Sequence, residues 1–150
     1  PEKSGQIVAG WLIVHTEDKE PVSYDLFFGD NFFGTEAEGY KVDIPIEGDK
    51  YVSRSHANIR ISKDFLHRFH YELLDDGSRR PQGPSLNGTY VNGNQDRLPQ
   101  DARVFLQDGD TIQVGETKLV FKSTMEAHSV EEAATSVLNT DYTATVILSK

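Results

Sequence analysis

Two short stretches of the chain concentrate the groups able to act on a ligand. The first reads Val52-Ser53-Arg54-Ser55-His56-Ala57-Asn58-Ile59, the second Pro84-Ser85-Leu86-Asn87-Gly88-Thr89-Tyr90-Val91-Asn92-Gly93. Each couples hydroxyls and amides to a segment with strand character, and about thirty residues lie between them. Their stock is mainly hydrogen-bond donors, which on converging loops suits binding. Plainer roles compete at each position. Ser53 can satisfy a turn, Arg54 can be a solvated charge, and Asn87-Gly88 is a hairpin signal in its own right.

Nothing in the chain assembles catalytic chemistry. The five histidines (His15, His56, His67, His70, His128) form no HExxH-like pair, and neither a Gly-x-Ser-x-Gly elbow nor a P-loop is present. Asp108-Gly109-Asp110 lacks calcium-loop spacing and reads as a turn. With no cysteine, disulfides and thiolate metal sites are excluded. The expectation is a binding protein without enzyme activity, cofactor or metal.

Two binding loops need a scaffold, and the rest of the chain supplies strands. Residues 10–15 are apolar, β-branched and aromatic. Residues 21–28 and 31–34 flank Gly29-Asp30-Asn31 and predict a hairpin. Pro45 within residues 42–46 predicts an edge strand. Residues 56–61 alternate, with Ala57, Ile59 and Ile61 on one face and Asn58 and Arg60 on the other. Residues 68–74 do the same through Phe69, Tyr71 and Leu73, and an eleven-residue loop rich in Gly and Pro follows over 75–85. Residues 88–91 with Asn92-Gly93 predict a short hairpin, and 103–106, 111–114 and 117–121 predict three further strands. Short strands at this spacing, with no long helical pattern, mean a sandwich or a barrel.

The net charge of −9 argues against nucleic acid and anionic membranes as partners. It is spread unevenly: −7 over residues 1–52, +2 over 53–80, −1 over 81–122 and −3 over 123–150. The one positive segment lies in the motif region, although a solvated face explains it equally well. No apolar run reaches membrane-span length and no signal peptide opens the chain, so a cytoplasmic location is expected.

Ser-x-x-His closing one loop and Ser-x-Asn-Gly-Thr closing another, in that order, resemble the signature of the forkhead-associated (FHA) domain family. The resemblance covers roughly residues 10–122, with 1–9 as an N-terminal extension and 123–150 as a tail or linker. It implies an antiparallel β-sandwich whose end loops read a phosphothreonine-containing protein or peptide, a substrate of a Ser/Thr kinase. By the same resemblance, Ser53 matches the phosphate-binding serine and Arg54 a position that often sets a basic or amide group against the phosphate. Asn87 matches the residue that holds the peptide backbone, Ser85 supports that loop, and Gly34, His56 and Gly88 are structural.

The match departs from the family at one informative place. Where the family carries Gly-Arg, with that arginine on the phosphate, this chain has Gly34-Thr35. Lys41, and Arg79 and Arg80 in an apparent insertion before Asn87, are the substitute cations in view. The alternative is a phosphate-independent docking or assembly domain on the same scaffold. In the tail, Ser129-Val130-Glu131-Glu132 fits a capping box for a short helix, and residues 140–150 look extended. Thr140, Thr143 and Thr145 there are candidate phosphorylation sites, which makes the tail itself a candidate ligand. A plain apolar strand that pairs with a sheet edge accounts for residues 144–148 as well.

Overall fold

The computed structural model describes residues 7–15, 20–75, 85–99 and 102–124. Ten strands form two five-stranded sheets: β1 (Val8–His15), β2 (Val22–Phe27), β3 (Gly29–Gly34), β4 (Ile44–Pro45), β5 (Ala57–Lys63), β6 (Phe69–Leu74), β7 (Thr89–Val91), β8 (Val104–Phe105), β9 (Thr111–Val114) and β10 (Thr117–Ser123). One sheet runs β2-β1-β10-β9-β7, the other β4-β3-β5-β6-β8. Every strand pair is antiparallel except β3 with β4.

The alternation read from the sequence fills the space between the sheets. Ala57, Ile59 and Ile61 of β5 and Tyr71 and Leu73 of β6 are buried, and they meet Leu12, Ile112, Val114, Leu119 and Phe121 from the other sheet. Each such aliphatic or aromatic side chain contributes about 1.5–3 kcal/mol when taken fully out of water. Tyr71 bridges the layers. Its ring lies 4.7 Å from that of Phe121, and its hydroxyl donates to the Ala9 carbonyl at 2.9 Å. Burial holds this phenol above its ordinary pKa. Pro45 sits in an edge strand, where its missing N–H costs no ladder bond.

Two expected hairpins are not formed. β2 and β3 lie in different sheets, so Gly29 (φ +93°) and its neighbours turn a corner between layers. The cause is Asn31, almost wholly buried. Its amide takes the Phe27 N–H (3.0 Å) and carbonyl (2.8 Å) at the end of β2, and also donates to the Ile59 carbonyl of β5 at 3.0 Å. Those bonds occupy the groups a hairpin ladder would use. Asn92 (φ +52°) and Gly93 (φ +76°) do reverse the chain after β7. The polar return segment bonds back through Asn94 N–H to the Val91 carbonyl and Leu98 N–H to the Thr89 carbonyl without forming a strand, and the sheet partner of β7 is β9.

At the end remote from the motif loops, Asp64 pins the β5–β6 turn. Its carboxylate accepts from the Leu66 and Arg68 amides, the Arg68 guanidinium and His70 Nε2, all at 2.8–2.9 Å. The His70 bond, then that from the Arg68 amide, holds its pKa well below the usual carboxylate range. A carboxyl whose folded pKa is depressed stabilises the fold above its unfolded pKa of about 3.9, and that stability fades as pH falls towards the folded value. Asp64→Asn is therefore expected to lower Tm at pH 7, with the gap to the parent protein closing on acidification below about pH 4. A gap that stays constant down to the acid transition contradicts this account.

Candidate functional site

Three chain segments meet at one end of the sandwich: the end of β3, the 46–56 loop before β5, and the 85–88 loop before β7. Gly34 allows the first two to touch. Its φ is +148°, and a Cβ there would lie 2.3 Å from the His56 amide nitrogen. Thr35 then continues the contact as a strut: its amide donates to the Ser53 carbonyl (3.0 Å), its carbonyl accepts from the Ser55 amide (3.1 Å), and its hydroxyl donates to the Val52 carbonyl (2.9 Å). The Thr35 side chain is thus spent on the loop backbone.

His56 is fully buried and joins the two motifs. Nδ1 accepts the Ser53 N–H at 3.0 Å, which leaves the proton on Nε2, and Nε2 donates to the Gly88 carbonyl at 2.9 Å. The bond to Gly88 reaches 32 residues further along the chain. Gly88 (φ +91°) also leaves room beside Arg97, whose Cβ would lie 2.9 Å from a Cβ at that position.

The second loop rests on a carboxylate that the sequence did not mark. Asp75 is fully buried just past β6 and accepts from the Ser85 amide (2.8 Å), the Ser85 hydroxyl and the Thr89 hydroxyl (2.9 Å). Ser85 Oγ in turn accepts the Gly88 amide at 3.1 Å. From the outer side Arg97 donates to the Ser85 and Leu86 carbonyls and lies 3.8 Å from the Asp75 carboxylate. Ser85 is thus held from both sides, by Asp75 from within and by Arg97 from without.

What faces outward is a groove of about 1140 Å³ lined by Thr35, Ser53, Arg54, Leu86 and Asn87 among others. Ser53 Oγ accepts the Leu86 amide at 3.0 Å, so its own proton is available to a ligand. Asn87 donates one amide proton to the Tyr51 carbonyl at 3.0 Å; its oxygen and second proton make no bond among the described residues. Arg54 is exposed, with its guanidinium 5.4 Å from the centre of the Tyr40 ring. Lys41 is exposed but does not line the groove, whereas Lys50, not singled out in the sequence, does. Arg79, Arg80, Thr140, Thr143 and Thr145 lie outside the described residues, as does the tail helix. Among the described residues no group of three or more His, Cys, Asp or Glu could hold a metal, and no helix is long and apolar enough to cross a membrane.

A β-sandwich that gathers hydroxyl, guanidinium and carboxamide donors on loops at one end is a ligand-binding module of the FHA type. The chain belongs to the FHA domain family, whose model matches residues 32–115. The oxoglutarate dehydrogenase inhibitor of Corynebacterium glutamicum is 44% identical to it over 73 residues, 49% of this chain and 39% of that protein. The glycogen accumulation regulator GarA of Mycobacterium tuberculosis is 40% identical over 73 residues, 49% of this chain and 35% of that protein. The matched part therefore spans well under half the length of these curated relatives. A solved FHA domain from work on phosphothreonine-dependent FHA domain interactions is 26% identical with a TM-score of 0.51, covering 75% of this chain and 95% of that one.

Proposed function

We propose that the groove binds a phosphothreonine-containing peptide or protein, as a non-catalytic module in cytoplasmic Ser/Thr kinase signalling, with residues 10–122 as the binding domain. The observation that carries this is the pairing of Ser53 with the Leu86 amide. It uses the hydroxyl as an acceptor on the protein side and, among the described residues, leaves its proton for a ligand, between Arg54 and the unbonded oxygen and second amide proton of Asn87. A phosphothreonine brings a charge of about −1.5 to −2 and three acceptor oxygens, which these donors complement. Lys41, Arg79 and Arg80 belong to the same reading as cations for the phosphate. The tail enters the same reading as a tethered ligand through Thr143 or Thr145, where an effective concentration on the order of millimolar from a short tether, rather than flanking charge, would secure occupancy. Pairing of its apolar segment with a sheet edge is the competing use.

One observation favours a second reading, phosphate-independent docking on the same scaffold. Thr35 stands where the family's arginine would meet the phosphate, and its hydroxyl is committed to Val52. Titration of one threonine peptide library, phosphorylated and unphosphorylated, separates the two. Phosphate-dependent binding supports the first reading, and equal binding of both forms supports the second. A guanidinium at position 35 tests the same point from the protein side. A charged hydrogen bond is worth about 1.5–3 kcal/mol, so Thr35→Arg is expected to tighten phosphopeptide binding roughly ten- to a hundredfold. Arg79→Gln with Arg80→Gln should act in the opposite sense. Unchanged affinity for the phosphopeptide in Thr35→Arg would show that no phosphate sits beside residue 35.

A further inference from the structure

The groove is not uniformly cationic. Among the described residues four carboxylates line it, Glu36, Glu47, Asp49 and Glu116, against two cations, Lys50 and Arg54. Asp49 is consumed internally: it accepts from the Tyr51 amide (3.1 Å), the Glu116 amide (2.7 Å) and the Thr117 hydroxyl (2.7 Å). Gly115 permits this, because a Cβ there would lie 2.7 Å from the Asp49 carboxylate. One side chain thereby staples the β9–β10 turn to the 47–50 loop and carries Glu116 and Glu47 on a joined wall. Both glutamates are exposed, and among the described residues neither is ion-paired. Within the groove, Lys50 Nζ lies 5.4 Å from the centre of the Tyr51 ring, and the Arg54 guanidinium lies at the same distance from that of Tyr40.

We infer that this groove selects phosphothreonine peptides carrying Lys or Arg beside the phosphothreonine, with Glu47 and Glu116 as the specificity-determining residues. The inference rests on the phosphopeptide reading above and adds to it. A dianionic phosphate entering between Ser53 and Arg54 brings further negative charge to a groove that carboxylates already line. A ligand with acidic flanks multiplies the like-charge contacts, and like charges at an interface are a means of excluding partners. A ligand with basic flanks places its own cations against Glu47 and Glu116 and so matches the division of charge across the groove. The substrates implied are those of a kinase that phosphorylates threonine in basic sequence. The Glu47 charge is felt within the fold too: after burial, it is the second cause that lifts the Tyr24 phenol above its ordinary pKa.

The test uses the full chain and four peptides of one sequence: phosphothreonine with Lys, Ala or Glu flanks, and the Lys-flanked peptide unphosphorylated. Kd is read by fluorescence anisotropy at low and high salt. Each exposed charge pair is worth about a two- to fivefold change in Kd, so the affinity order should be Lys, then Ala, then Glu, with the spread shrinking at high salt. In Glu47→Gln with Glu116→Gln, exposed and isosteric changes, the Lys-to-Glu spread should collapse. Equal affinity for all three phosphopeptides overturns the inference and assigns selection to the apolar lining around Leu86 and Tyr51. If the unphosphorylated Lys peptide binds as tightly as its phosphorylated twin, the phosphate reading fails instead. The charge preference is then judged on unphosphorylated Lys- and Ala-flanked peptides, where equal Kd values refute it.

Discussion

Asp75→Ala is expected to cost about 3–5 kcal/mol of folding stability and to abolish peptide binding in whatever protein remains folded. The carboxylate is fully buried and serves the Ser85 amide, the Ser85 hydroxyl and the Thr89 hydroxyl at once. Its removal leaves those donors facing a cavity that alanine cannot fill, and each buried donor without a partner costs about 1–3 kcal/mol. Ser85 then loses the fixed position from which its Oγ holds the Gly88 amide, and Asn87 lies between the two. Urea unfolding should show a lower midpoint with unchanged slope. Asp96→Ala, which removes an exposed carboxylate, is the control and should change little. A midpoint for Asp75→Ala close to that of the control would show that the 85–89 loop is held by other means.

The second large effect concerns affinity rather than stability. Ser53→Ala and Arg54→Ala are each expected to weaken phosphopeptide binding roughly ten- to a hundredfold, the worth of one charge-assisted hydrogen bond, and Asn87→Ala, which removes neutral bonds to the peptide backbone, about two- to tenfold. Tm should hardly move, because water can take over what each side chain does in the free protein. The Leu86 and Asn87 bonds involved are at exposed positions, and the Arg54 contact with Tyr40 is worth only about 0.5–1 kcal/mol. Calorimetric titration beside a thermal melt checks both halves. Binding lost in step with melting would turn these residues into structural ones. A loss equal for phosphorylated and unphosphorylated peptides would favour docking without phosphate.

How much of this could be read from the chain depended on the reach of each interaction. Ala57, Ile59 and Ile61 announce a strand because alternation is local, and β5 forms where it is expected. The Gly29-Asp30-Asn31 turn could not declare itself. The same composition serves a hairpin or a corner, and the choice is made by the Asn31 amide finding the Ile59 carbonyl 28 residues on. The site divides along the same line. Ser53, His56, Ser85 and Asn87 stand out through their spacing. Asp75, Arg97 and Asp49 do not, since their roles consist of contacts made 10 to 68 residues away. An acid directly after a strongly alternating strand was the one available hint at Asp75.

The bond between Asp75 and Ser85 has a consequence for how the domain tolerates change. The two residues are ten apart in sequence, yet the amide of one donates to the carboxylate of the other at 2.8 Å. The 85–88 loop is therefore anchored on Asp75 at the end of β6, and that anchor does not depend on how many residues join the two. Closing a flexible loop costs only about 0.6 kcal/mol more for each doubling of its length. Extra sequence between Asp75 and Ser85 should thus be tolerated, and a fluorophore-bearing segment or a second recognition peptide could be spliced there. Such a graft would turn the binding module proposed above into a sensor that reports its ligand.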